Sequence, residues 1–185
     1  MTMQPRIDTG AAAEVDQPRV LDYLGGIFAS AQGGKRIDTH ASIVFLGADR
    51  VLKIKRAVRL PFLDYSTLEK RRRACEEELR VNAVNAPELY RGVVAITRNS
   101  AGDLEIGGAG APVEWAVEMA RFDEEQALDR VAASGTIERA LALATADAIL
   151  RSHDAAPRAG GETWVASIAT LIGRNTERFR TVPGL

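Results

Sequence analysis

Apolar positions along the chain change their period several times, and each change marks an element. Val20, Leu21, Leu24, Ile27 and Phe28 recur at spacings of three and four. That is the stripe of an amphipathic helix, with Pro18 near its first turn, where a missing N–H costs little. Gly25-Gly26 weakens the end of this helix and Gly33-Gly34 breaks the chain. Residues 1–17 are small, polar and weakly patterned, and read as a frayed start. The period then falls to two. Ala41-Ser42-Ile43-Val44-Phe45-Leu46 and the run from Arg50 to Val58 flank the turn Gly47-Ala48-Asp49, which predicts a β-hairpin. On its second strand Leu52 and Ile54 face one side, and Val51, Lys53 and Lys55 the other.

Ser66-Thr67-Leu68-Glu69 has the spacing of a capping box. A helix is expected from there to about Asn82, with Leu68, Cys75, Leu79 and Ala83 on its apolar face and Pro87 just beyond its end. Strand-like runs follow at Glu88 to Thr97, Leu104 to Ile106 and Val113 to Met119, with a strong turn at Asn99–Asp103. After Phe122 the pattern becomes helical. Asp123 caps a short helix ending near Gly135. Residues 136–153 carry Ile137, Leu141, Ala144, Ala148 and Ile149 on one side, and Trp164 to Phe179 form a last helical stretch. The expected fold class is α+β: about five antiparallel strands with one embedded helix, then a purely helical segment.

Composition narrows the function classes. The 185 residues are 46% hydrophobic and 26% charged, and 24 Lys and Arg against 25 Asp and Glu leave a net charge of -1. Such a balance gives no global attraction to nucleic acid or to anionic lipid. One cysteine, Cys75, excludes an internal disulfide framework and a Cys-rich zinc site. With only His40 and His153 besides, no metal centre is expected. No run approaches 18 apolar residues, and the first residues lack the apolar stretch of a signal peptide. The cytoplasm is the default compartment, with no membrane partner.

The chemistry centres on the second hairpin strand and the capped helix. A strand lysine held by a glutamate of a packed helix is the phosphate-positioning pair of protein-kinase-like enzymes. Lys53 is the preferred lysine and Lys55, on the same face, the alternative. Of Glu76, Glu77 and Glu78, a helical wheel centred on Leu79 puts Glu76 nearest the buried seam, Glu78 second and Glu77 toward water. Arg50, Lys53, Lys55, Arg56 and Arg59 form a cluster with no acid among residues 50–59. It suits phosphate, of a nucleotide or of nucleic acid, and the net charge argues against nucleic acid. Lys70-Arg71-Arg72-Arg73 is flanked by Glu69 and Glu76-Glu77-Glu78 and reads as a solvated, self-paired helix face. Trp115 and Trp164 are expected in a core or a lobe interface, Cys75 as an inert packing residue, and His40 in a local structural role.

The segments Asp38 to Leu46, Val51-Leu52-Lys53-Ile54-Lys55, Pro61 to Glu69, Arg71 to Asn82, Ala86 to Val93 and Val117 to Phe122 together resemble the start of an aminoglycoside phosphotransferase-like family. Its members are related to choline kinase and to protein kinases, and in longer ones this domain is fused to a P-loop ATPase domain. The resemblance implies a kinase-like fold with ATP between two lobes. Residues 1–36 would be an N-terminal extension with a helix, 37–122 the small lobe, and 123–185 the start of an incomplete helical large lobe. Lys53 would contact the phosphates and Glu76 would brace it. Backbone around Glu118, Met119 and Ala120 would meet the adenine as a hinge. The turn from Thr39 to Ser42 would cover the phosphates, although it has no Gly-x-Gly-x-x-Gly.

The sequence departs from that family in its later part. It has no His-Gly-Asp type of catalytic loop and no second Asp to hold magnesium. His153-Asp154 sits at a predicted helix end, and no Gly-x-x-x-x-Gly-Lys-[Ser/Thr] is present. A complete relative would use ATP with magnesium to phosphorylate a small hydroxylated acceptor. These 185 residues are expected not to do so on their own. The alternative is a non-catalytic, pseudokinase-like binding or interaction module. A helical segment with apolar faces such as Ile137, Leu141 and Ala148 is also expected to self-associate or to need a partner that completes the lobe.

Overall fold

A computed structural model describes residues 17–135, 137–158 and 160–180, the side chain of Arg178 aside. The frayed start therefore lies outside the described residues, save Gln17. The chain divides into two compact units, 1–134 and 135–185.

In the first unit, helix α1 (Gln17–Ala29) buries Val20, Leu24 and Phe28 along one stripe, and Gln17 itself is buried. Gly33 ends the connection at a φ of 70°, which favours glycine. At Gly34 a Cβ would stand 1.8 Å from the carbonyl oxygen of Phe28, so only glycine lets the chain turn so closely under the helix. The next elements are β1 (Lys35–Asp38), β2 (Ser42–Leu46) and β3 (Arg50–Lys55), then a small hairpin of β4 (Arg59–Leu60) and β5 (Leu63–Asp64). Helix α2 (Leu68–Asn82), β6 (Tyr90–Arg98), β7 (Leu104–Ile106) and β8 (Ala111–Ala120) follow. Six strands form one antiparallel sheet in the order β1-β2-β3-β8-β6-β7. A short 3-10 turn at Glu124–Gln126, capped by Asp123, and helix α3 (Leu128–Ala133) complete the unit.

The mixed α+β class and the hairpin match the sequence reading. The sheet has one strand more than expected, because β1 reads Lys-Arg-Ile-Asp. Only Ile37 gives it an apolar signal. Its ladder to β2, Lys35 opposite Leu46 through Asp38 opposite Ile43, makes it a strand. The cap of α2 also moves by one residue. Thr67 accepts from the N–H of Lys70 at 3.3 Å, while the Ser66 hydroxyl donates to Asp64 at 2.6 Å and Glu69 pairs with Arg73.

The second unit contains helices α4 (Arg139–Ala155) and α5 (Gly161–Arg180). None of its described residues is buried. Trp164, expected in a core or an interface, is 64% exposed. No helix among the described residues is long and apolar enough to cross a membrane.

Candidate functional site

Strand alternation gives the sheet two unlike faces. Ile43, Phe45, Leu52, Ile54 and Ala116 pack under α1 with Val20, Leu24 and Phe28. The opposite face presents Ile37, Val44, Val51, Lys53, Lys55, Val117 and Met119. The register sets their neighbours: Val44 lies opposite Lys53, Val51 opposite Met119, and Lys53 opposite Val117.

An apolar slot of about 190 Å³ opens on this second face. Ile37, Val44, Leu46, Val51, Leu89 and Met119 form its walls, and Ala120, Arg121, Phe122 and Glu124 its rim. The end of β8 is tied down beside it. The N–H of Ala120 donates to Leu89 O at 2.8 Å and that of Arg121 to Asp49 O at 3.1 Å. One guanidinium nitrogen of Arg121, Nη2, lies 3.5 Å from Glu124. The other, Nη1, is buried with no hydrogen-bond partner among the described residues.

Along the same face from the slot stand the two lysines. Lys53 Nζ donates to Glu78 Oε1 at 2.8 Å, and Lys55 Nζ donates to the other oxygen, Oε2. The side chain of Lys55 is 7% exposed, that of Glu78 11% and that of Lys53 29%. The ammonium of Lys55 also lies 5.6 Å from the centre of the Tyr65 ring, a cation–π distance. Burial alone would raise the Glu78 carboxyl, but the hydrogen bonds and charges of Lys53 and Lys55 outweigh it and hold the group below its ordinary value. Tyr65 and Tyr90 are raised, first by burial and then by the Glu78 charge.

A buried network holds α2 where Glu78 can reach the lysines. Arg71 Nε donates to Glu114 Oε1 at 2.8 Å and to Oε2 at 2.9 Å, and both side chains are almost fully buried. Gln17 Nε2 donates to Glu114 at 2.6 Å and to Lys55 O at 2.9 Å, and Gln17 Oε1 accepts from Ala57 N at 2.7 Å. Ile54 pairs with Ala116, so Glu114 stands past Lys55, the last residue of β3. There α1 and α2, on opposite faces, both reach the same carboxylate. Cys75 is buried beside Trp115, and burial pushes its thiol up to about 12, as suits an inert packing residue.

The structure redistributes the candidate residues. Lys53, Lys55 and Glu78 come together. Glu76, the preferred partner, does not: it pairs with Arg72 at 2.8 Å and is about half exposed. The cause is Arg71. Its burial against Glu114 turns the helix seam toward Glu78, and a wheel built on apolar residues counts an arginine as surface. For the same reason only Lys70, Arg72 and Arg73 form the solvated face expected of the basic run, paired with Asp64, Glu76 and Glu69. Met119 and Ala120 line the slot, whereas Glu118 lies on the other side of β8 and pairs with Arg50 at 2.9 Å. Thr39 and Ser42 close the β1–β2 turn: Ser42 N donates to Thr39 Oγ1 at 2.9 Å, and that hydroxyl donates to Ser42 O at 3.0 Å. Ser42 pairs with Lys55, so this turn sits at the lysine end of the sheet, away from Leu46, Val51 and Met119. His40 is exposed there. The basic cluster of residues 50–59 is matched by Glu118, Glu78, Asp38 and Asp64, acids outside that stretch. Sequence reasoning missed the rim residues Arg121 and Phe122 and the wall residues Ile37 and Leu89. Alternation did carry a signal for part of the slot, since Val44 and Val51 share the face of Lys53. Among the described residues no group of three or more His, Cys, Asp or Glu could hold a metal ion.

Uncharacterized proteins of Mycobacterium bovis and of two strains of Mycobacterium tuberculosis are each 32% identical to this chain over 121 residues. The match covers 65% of the chain and 22% of each relative, so the chain spans about a fifth of the length of these curated proteins. No family model matches the chain. No solved structure matches it.

Proposed function

We propose that the first unit is a nucleotide-binding small lobe of the protein-kinase-like kind, in keeping with the resemblance to aminoglycoside phosphotransferase-like proteins. The observation that carries this reading is the Lys53–Glu78 pair on the same sheet face as the apolar slot. A slot of about 190 Å³ suits one heteroaromatic ring system, stacked between Val44, Val51 and Met119. The ribose and phosphates would then lie outside it, along the strand direction toward Lys53. The N–H groups of Ala120 and Arg121 are already bonded to Leu89 and Asp49. Polar contacts to the base would therefore come from rim carbonyls. The sheet order and the position of α2 between β3 and β6 support the same lobe type.

In this reading the 185 residues bind nucleotide without transferring phosphate on their own. Phosphoryl transfer depends on positioned carboxylates and magnesium, and no Asp lies two residues after either His. In a longer protein that supplies those groups, the γ-phosphate of ATP would pass to a small hydroxylated acceptor. Without them the lobe acts as a pseudokinase-like binding module. The test is thermal unfolding of the chain with and without millimolar ATP or ADP. Nucleotide should raise Tm in the wild type and not in Lys53→Ala. No shift in the wild type at millimolar nucleotide sinks the reading, and steady phosphorylation of an acceptor by the purified chain sinks the non-catalytic part.

A further inference from the structure

A strand lysine and a helix glutamate form a neutral couple, but here two lysines converge on one carboxylate. Lys53 occupies Oε1 of Glu78 and Lys55 occupies Oε2, so the cluster carries one net positive charge. The two lysines are not equivalent. Lys55 is almost fully buried, its ammonium lies near the Tyr65 ring, its carbonyl accepts from Gln17, and it pairs with Ser42 in the sheet. Lys53 is four times as exposed and stands opposite Val44, a wall of the slot.

We propose that Lys55 is a positioning residue that keeps Glu78 paired while Lys53 turns to the oligophosphate of a bound nucleotide. The idea rests on the nucleotide reading above and adds a role for the second lysine. With a single lysine, an anion that draws the ammonium away leaves a carboxylate only 11% exposed without a cation, and uncompensated buried charge is strongly unfavourable. With Lys55 fixed on Oε2, Glu78 loses one partner and keeps the other, so Lys53 can form a charge-assisted bond to phosphate. The spare positive charge also attracts the anion directly. Lys55 itself does not touch the ligand in this scheme, because its ammonium stays bonded to Glu78 beside Tyr65.

The scheme separates phosphate affinity from base affinity. Tripolyphosphate, ATP and adenosine are titrated into the wild type, Lys55→Met and Lys55→Arg by calorimetry. Lys55→Met should weaken tripolyphosphate and ATP on the order of tenfold or more, the effect of deleting a unit charge several ångströms from a phosphate at an effective dielectric of about 20. It should leave adenosine unchanged, and Lys55→Arg should restore phosphate binding. Equal losses for adenosine and ATP would make Lys55 merely structural and overturn the proposal. An unchanged ATP affinity in Lys55→Met would overturn it while the nucleotide reading stands. A wild type that binds none of the three removes both. Lysine ammonium NMR gives a readout without a variant: tripolyphosphate should move the Lys53 signal and leave the Lys55 signal in slow exchange. Loss of Lys55 protection on binding would contradict the fixed role.

Discussion

The two faces of the sheet use the same strands and are held in different ways. Under α1 the side chains of Val20, Leu24, Phe28, Ile43, Phe45, Leu52 and Ile54 are buried and apolar, and their contribution is nondirectional burial, roughly 25 cal/mol per Å². The other face also buries Leu46, Val51, Val117 and Cys75, but there charge is added to burial, with Glu78 held by two lysines. Side chains whose partners are neighbours only in space hold the second face, so under the proposed nucleotide reading it would exchange a partner for a ligand. The first face cannot, since every atom moved there leaves a void. Glu114 joins the two, reached from α1 by Gln17 and from α2 by Arg71.

That contrast can be broken most severely at Glu114. Arg71→Met should destabilise the chain by about 3–5 kcal/mol, because it leaves a buried carboxylate with no opposing charge. Arg71→Met with Glu114→Leu should recover most of the loss, since neither ion is then buried. Urea unfolding of the three proteins measures both effects. A single-variant loss under about 1 kcal/mol would mean that the pair is solvated, and the two faces would no longer be distinct.

A smaller effect reports on the charged face alone. Glu78 sits below its ordinary value of 4.5. The stability it contributes is therefore present above pH 4.5 and is lost as pH falls through its lower folded value. Wild type should exceed Glu78→Gln by about 1–3 kcal/mol at neutral pH, the size of hydrogen bonds to a charged group. The gap should close as pH falls below 4.5 and on through the lower folded value. A gap that stays constant over that range would show that the carboxylate charge is not what the lysines hold. The smallest effect is that of Lys53→Ala on stability without ligand, less than about 1 kcal/mol, because Lys55 still pairs with Glu78. A large loss there would make Lys53 a structural residue of the open face and not its mobile cation.

Much of the first unit was legible from periodicity. The α1 stripe, the hairpin at Gly47–Asp49, the extent of α2 to Asn82 and the strand at Leu104–Ile106 match the expected elements. Strand β1 escaped because three of its four residues are polar and its pairing partner is what makes it a strand. For the site, alternation put Lys53 and Lys55 on one face with Val51, but the choice of glutamate turned on Arg71. Hydropathy treats a buried arginine as exposed, so the wheel favoured Glu76, and the structure pairs Glu78 instead.

By itself the sequence determined the local periods, breaks such as Gly33-Gly34, and the residue types able to bind phosphate. These depend on neighbours within a turn or two of chain. The tertiary structure decided which charges meet. It placed Glu114 beyond the end of β3 within reach of two helices. It set both lysines on one carboxylate, and it brought Leu89 and Arg121 to a slot walled by Val44 and Val51. Ion pairs between remote positions leave no period in the chain. Their energy depends on burial and distance, which exist only once the sheet has formed.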